Sequence, residues 1–243
     1  AIYRKLYPDA NSFTFTIVGN VDLDALKPLV EKYIGSIPVS KKAMTFADDK
    51  CAPVKGDVTE EFTAPMQQPK VSVHYMFSGK MPYTLKDKAA LTFLTQALNS
   101  RYLISIREEK GGTYYVGVHD EVSARPRGYC QLVVSFDTDP KLCEMLLGEV
   151  QKGIERLAAE APSEQEVNEA MLYFRKVNAE SRSKNLKSTS YWLNKMRAEY
   201  FDGVDLDKDN EALFTPVTPA EVRRLAREIL AQGNRYTAVF TQE

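Results

Sequence analysis

The sequence predicts a two-layer α+β fold in which helices cover one face of a largely antiparallel sheet. Three observations predict it. Val71, Val73, Tyr75 and Phe77 alternate along KVSVHYMFSG with the period of a half-buried strand. The elements that follow read in the order β-α-β-β-α-α, and the chain closes on a further helix and strand. The helix that carries Leu91, Leu94 and Leu98 and the helix over 140–160 each offer an apolar side to lay on that sheet.

Taken from the start, FTFTIVG at 13–19 is β-branched and aromatic and reads as a strand. Asn20 and Asp22 offer helix N-caps, Leu26, Leu29, Val30 and Tyr33 share one face, and Gly35 and Pro38 end that helix. From Pro38 to about Gln68 the chain turns polar and proline-punctuated, with room for a short edge strand near 58–63. Strand 70–79 comes next, then a helix started by a capping-box-like pair, Thr84 and Asp87, and carrying Leu91, Leu94 and Leu98. Helical pattern continues over 101–109 to Gly111-Gly112, which can adopt the positive φ of a helix C-cap.

Residues 114–122 and 129–137 read as two strands joined by Arg125-Pro126-Arg127-Gly128. A helix over 140–160 places Leu142, Met145, Leu146, Ile154 and Leu157 on its buried side. Pro162 breaks it, and Ser163 with Glu166 caps the next, which carries Val167, Ala170, Met171, Phe174 and Val177. Another helix spans about 187–201 around Trp192, and Thr218-Pro219-Ala220-Glu221 starts one that ends near Gly233. YTAVFT at 236–241 is the final strand. Its likeness to FTFTIVG points to residues 1–50 as the strand-plus-helix tail of a preceding copy of the fold. Residues 51–69 then form a linker with an edge strand, and 70–243 form the main domain.

Composition narrows the function classes. The chain has 243 residues, 44% hydrophobic and 27% charged, with 32 basic against 33 acidic side chains and a net charge of −1. That balance lacks the basic footprint of a nucleic-acid binder. No apolar run approaches the ~20 residues of a membrane helix. The start at Ala1 leads us to expect an excised fragment. Cys51, Cys130 and Cys143 are odd in number and widely spaced, so free thiols are expected rather than a disulfide framework.

Candidate chemistry is sparse. His74 and His119, the two histidines, are 45 positions apart and belong to no HxxEH or HExxH pattern. Catalytic zinc usually takes three protein ligands, so no metal is expected in this chain. The serines of SRSKNLKSTS at 181–190 have neither a nearby histidine nor a glycine elbow and read as a solvated inter-helix segment. Glu108 and Glu109 beside Lys110 read as a charged helix end, with a carboxylate within reach of Arg107. What remains is LNSRYLISIREEKGGTYYVGV at 98–118, with Arg107 and Tyr114 seven positions apart across the double glycine. One reading is a surface arginine and a tyrosine that starts a strand. The other is a guanidinium and a phenol held over one cleft, both donors suited to a peptide carbonyl or a developing oxyanion.

Three segments favour the second reading: FTFTIVGNVDLDALKPLVEKYIGSIP at 13–38, the 98–118 stretch with its Arg and Tyr, and LFTPVTPAEVRRLAREIL at 213–230. In this order they resemble the C-terminal, non-catalytic module of the insulinase/pitrilysin-type zinc metallopeptidases, the inverzincins. The resemblance implies a metallohydrolase-like core and an enzyme of paired homologous halves around a chamber. One half carries HxxEH and zinc; the other supplies an Arg and a Tyr that hold the substrate backbone and stabilise the tetrahedral intermediate. By that resemblance Arg107 and Tyr114 take these roles, with Tyr115 on the opposite strand face, and the glycine-rich turn brings them to a sheet edge where a peptide can add as a strand. No cofactor is implied in this chain, zinc being expected in the catalytic partner domain, and the chain alone is expected to be inactive. The implied partners are an extended peptide and the zinc-bearing half; neither nucleic acid nor membrane is among them. The 13–19 edge offers fragment self-association. The alternative is a structural or assembly subunit derived from such a peptidase.

Overall fold

The computed structural model describes residues 2–3, 7, 10–11, 13–40, 52–66, 69–124, 127–203, 205 and 217–242. Cys51, Arg125, Pro126 and the LFTP start of the 213–230 segment lie outside the described residues. The chain divides into two compact units, residues 1–50 with 179–206, and residues 51–178 with 207–243.

The second unit carries the sheet. Its elements in order are β1 (Asp57–Ala64), β2 (Val71–Lys80), α2 (Leu85–Tyr102), β3 (Val116–Ser123), β4 (Tyr129–Thr138), α3 (Cys143–Ala159), the start of α4 (Glu164–Asn185), α6 (Pro219–Ala231) and β5 (Asn234–Gln242). The other unit holds α1 (Leu23–Tyr33) and α5 (Thr189–Asp202). Strand order is β1-β5-β2-β4-β3. Every neighbouring pair is antiparallel except β1 with β5, so β1 enters the sheet as its parallel edge strand.

Alternation decides which face is covered. Val71, Val73, Tyr75 and Phe77 of β2 and Leu132, Val134 and Phe136 of β4 are buried, while their alternates, His74 among them, lie on the open face. Leu91, Leu94 and Leu98 of α2, Leu146, Ile154 and Leu157 of α3, and Val222, Leu225 and Ile229 of α6 close over them. A side chain of this size contributes about 1.5–3 kcal/mol when fully buried. The helix starts follow the capping residues. Ser163 and Glu166 exchange bonds (Ser163 N–H to Glu166 Oε2, 2.8 Å; Glu166 N–H to Ser163 Oγ, 3.1 Å). Thr218 and Glu221 do the same. Thr84 accepts from the Asp87 N–H at 3.1 Å and returns its hydroxyl proton to the Asp87 carboxylate.

Four expectations are corrected. Residues 13–18 pair with no strand among the described residues, and Phe13, Phe15 and Ile17 are exposed; a strand needs a neighbour's ladder to form. β3 begins at Val116, leaving Tyr114 and Tyr115 ahead of the ladder. Met145 and Val177 fall on exposed helix faces rather than buried ones. The 101–109 segment is not continuous α-helix: Leu103–Glu108 widens into a π-helical turn closed by Glu109 N–H to the Ile104 carbonyl at 2.9 Å.

Candidate functional site

The stretch from α2 to β3 is built on two fully buried side chains, Tyr102 and Ile106, one helical turn apart. Tyr102 donates its hydroxyl to the Val150 carbonyl at 2.6 Å. Its ring fills the space above Gly153, where a Cβ would lie 2.1 Å from a ring carbon. Burial raises its pKa far above the ordinary phenol range, so it is a packed anchor and not a titrating group. With these residues inward, the π turn leaves Arg107 outward, and π turns recur at functional sites because they re-aim one residue.

Beyond it Gly111 takes φ +58° and Gly112 passes beneath Leu146. The Gly112 N–H donates to the Ile106 carbonyl at 3.2 Å, and its own carbonyl accepts from the buried Thr138 hydroxyl at 2.7 Å. Thr113 then closes a local turn, its hydroxyl donating to the Tyr115 carbonyl at 2.8 Å and accepting from the Tyr115 N–H at 3.2 Å.

Arg107 is exposed, and Tyr114 is 98% exposed. Neither makes a hydrogen bond or an ion pair among the described residues, so the adjacent carboxylates Glu108 and Glu109 do not hold Arg107. Tyr115 is different: its hydroxyl lies over Gly117, 2.2 Å from where a Cβ would stand, so Tyr115 covers the first glycine of β3. Arg107 and Tyr114 thus flank a pinned turn as two unengaged donors. Asn99 and Thr138, which hold that turn's framework, carry no signal in the sequence, since their partners are backbone groups distant along the chain.

The outer edge of β3 is not open along its length. Asn99 binds the Val118 N–H and carbonyl, occupying the position where an added strand would pair. A strand added at Val118 would have to displace Asn99. His74 and His119 are both exposed on the open face, separated by β4, and His74 Nδ1 is 2.9 Å from Ser135 Oγ. No group of three or more His, Cys, Asp or Glu among the described residues could hold a metal ion. The described residues offer no zinc site. At the opposite end of β2 a cavity of about 210 Å³ is lined by Asp57, Phe77, Gln151 and Arg235. Its polar groups already bind one another: Arg235 engages Asp57, Tyr75 and Gln151.

Residues 1–172 match the family model described as the peptidase M16 inactive domain. The chain belongs to that family. The chain is similar to the probable zinc protease PqqL of Escherichia coli K12, 30% identical over 172 residues, 68% of this chain and 18% of that protein. The Arabidopsis thaliana zinc protease PQQL-like is 24% identical over 215 residues, 82% of this chain and 22% of that protein. The crystal structure of the periplasmic protease PqqL from Escherichia coli superposes with a TM-score of 0.66 at 24% identity, covering 93% of this chain and 25% of that one. The chain spans about a fifth of the length of the curated relatives it matches. The inactive-domain fold thus accounts for a two-layer sheet with helices on one face, and among the described residues no helix is long and apolar enough to cross a membrane.

Proposed function

We propose that this chain is the non-catalytic, peptide-holding module of a zinc metalloendopeptidase. Arg107 and Tyr114 hold the substrate backbone and stabilise the oxyanion, while zinc and its HxxEH motif lie in another domain. The observation that carries this reading is the pair of exposed, unengaged donors on either side of a turn whose backbone is pinned at Gly112. A guanidinium offers a rigid fork of N–H groups and a phenol offers one O–H, so together they can bind adjacent carbonyl oxygens of an extended chain. As an attacked carbonyl becomes tetrahedral its oxygen gains charge, and fixed donors are worth most at that moment. Asn99 on the β3 edge favours a client held by these side chains over one added to the middle of β3. The zinc proteases among the relatives are far longer than this chain, which is consistent with a separate catalytic half.

The test is kinetic. In the protease assembled with its zinc-bearing half, Arg107→Ala or Tyr114→Phe should lower kcat by roughly 10- to 1000-fold, the scale of one lost oxyanion donor. The 243-residue chain supplied with zinc and an unstructured peptide should not cleave it. Chelator-sensitive proteolysis by the chain alone would overturn the reading, and full activity in both variants would leave an assembly subunit as the better description.

A further inference from the structure

We infer that Thr138 is a positioning residue for the Arg107–Tyr114 pair, acting through the backbone of Gly112. This rests on the reading of that pair given above. Gly112 lies between the two side chains in sequence, five residues after Arg107 and two before Tyr114. Both of its backbone polar groups are engaged, in opposite directions. Its N–H reaches the Ile106 carbonyl, one residue ahead of Arg107. Its carbonyl receives the Thr138 hydroxyl at 2.7 Å, the shorter contact of the two.

Thr138 is well placed for this. It is the last residue of β4, paired with Val71 of β2, and only 5% exposed. Its backbone is thus fixed by the β2–β4 ladder, not by the turn it holds. Above the glycine, the Leu146 methyls would stand 2.8 and 3.0 Å from an added Cβ, so the turn is pressed from the helix side while Thr138 holds it from the sheet side. A turn held from both sides keeps its backbone in place, and with it the points from which Arg107 and Tyr114 leave the chain. Catalytic donors lose their effect when misplaced by an ångström, which makes that placement functional. Without the hydroxyl the Gly112 carbonyl would be buried and unpaired, and the turn would shift to find water.

The experiment compares Thr138→Val, which keeps shape and removes the donor, with Thr138→Ser, which keeps the donor. Amide hydrogen exchange at Gly112 in the 243-residue chain should rise about tenfold in Thr138→Val and return in Thr138→Ser. In the assembled protease, well below the melting temperature, Thr138→Val should lower kcat by about 10- to 100-fold with KM nearly unchanged, and Thr138→Ser should restore it. Unchanged exchange, or a lowered melting temperature with normal kcat, would overturn the inference. Inert Arg107→Ala and Tyr114→Phe variants would instead remove the underlying reading. Impaired variants of that pair beside a fully active Thr138→Val would remove this inference alone.

Discussion

The side-chain amide of Asn99 holds both outward-facing backbone groups of Val118, accepting from its N–H at 2.8 Å and donating to its carbonyl at 3.0 Å. It does so from α2, so a helix residue takes the place of a missing strand on the edge of the sheet. Val118 itself is 3% exposed, which makes the bonds costly to lose. Asn99→Ala should destabilise the sheet unit by about 1–3 kcal/mol, read from the urea midpoint. The freed edge should also promote concentration-dependent association in sedimentation. An unchanged midpoint would show that water replaces the amide without penalty.

Gly153 and Tyr102 give a second prediction. The ring of Tyr102 occupies the volume an alanine methyl would need, and the ring cannot yield because it is completely buried. Gly153→Ala should therefore cost about 1–3 kcal/mol and alter the near-ultraviolet circular dichroism of the tyrosines. Wild-type stability in this variant would mean that α3 shifts outward freely, and Tyr102 would lose its standing as the anchor of the π turn.

Much of the sheet unit was legible in the sequence because its signals are local. The alternation of Val71 to Phe77, the capping residues Ser163 and Glu166, and the Thr218-Pro219 start each depend on residues a few positions apart. Gly111 likewise takes the positive φ expected of it. The misses share a different cause. FTFTIVG has strand chemistry, but a strand exists only where another can pair with it, and 13–18 pairs with none among the described residues. The π turn at Leu103–Glu108 left no trace in the pattern, because Tyr102 and Ile106 stand four residues apart and would share a face of an ordinary α-helix as well. Of the proposed site, Arg107 and Tyr114 could be nominated from the sequence, whereas Thr138 and Asn99 act on backbone atoms that no spacing reveals.

Asp120 supplies a pH prediction. It lies half-buried on β3, and burial pushes its carboxyl up from the ordinary value of 3.8. Thr95, its own backbone, Lys88 and His119 oppose that shift only in part. Thr95 Oγ1 is buried without a well-formed hydrogen bond, so its help is weak. A raised folded-state value means that the native state binds this proton more tightly than the unfolded chain does. Stability from this group is therefore present at pH below the ordinary carboxylate range and is lost as pH rises through the raised value. Asp120→Asn should gain about 1 kcal/mol at pH 7, the scale of relieving one poorly satisfied buried group. The gain should vanish near pH 3. An equal effect at both pH values would point to packing rather than charge.

The first fifty residues give the last prediction. α1 is well formed, with Asp22 accepting from the Asp24 and Ala25 N–H groups, yet it buries no residue. Leu23, Leu29 and Tyr33 stay largely exposed, as do Phe13, Phe15 and Ile17 ahead of them. An amphipathic helix with an uncovered apolar face gains little from the packing that normally stabilises one. Residues 1–50 group with 179–206 and not with the sheet unit. Residues 51–243 alone should therefore melt within about 2 °C of the longer chain, since no buried side chain of the sheet unit is removed. The longer chain should self-associate more strongly in sedimentation, through the exposed aromatic segment at 13–17. A large loss of stability on truncation would mean that residues 1–50 belong to the same folding unit as the sheet. Equal association would clear the aromatic segment of any role in it.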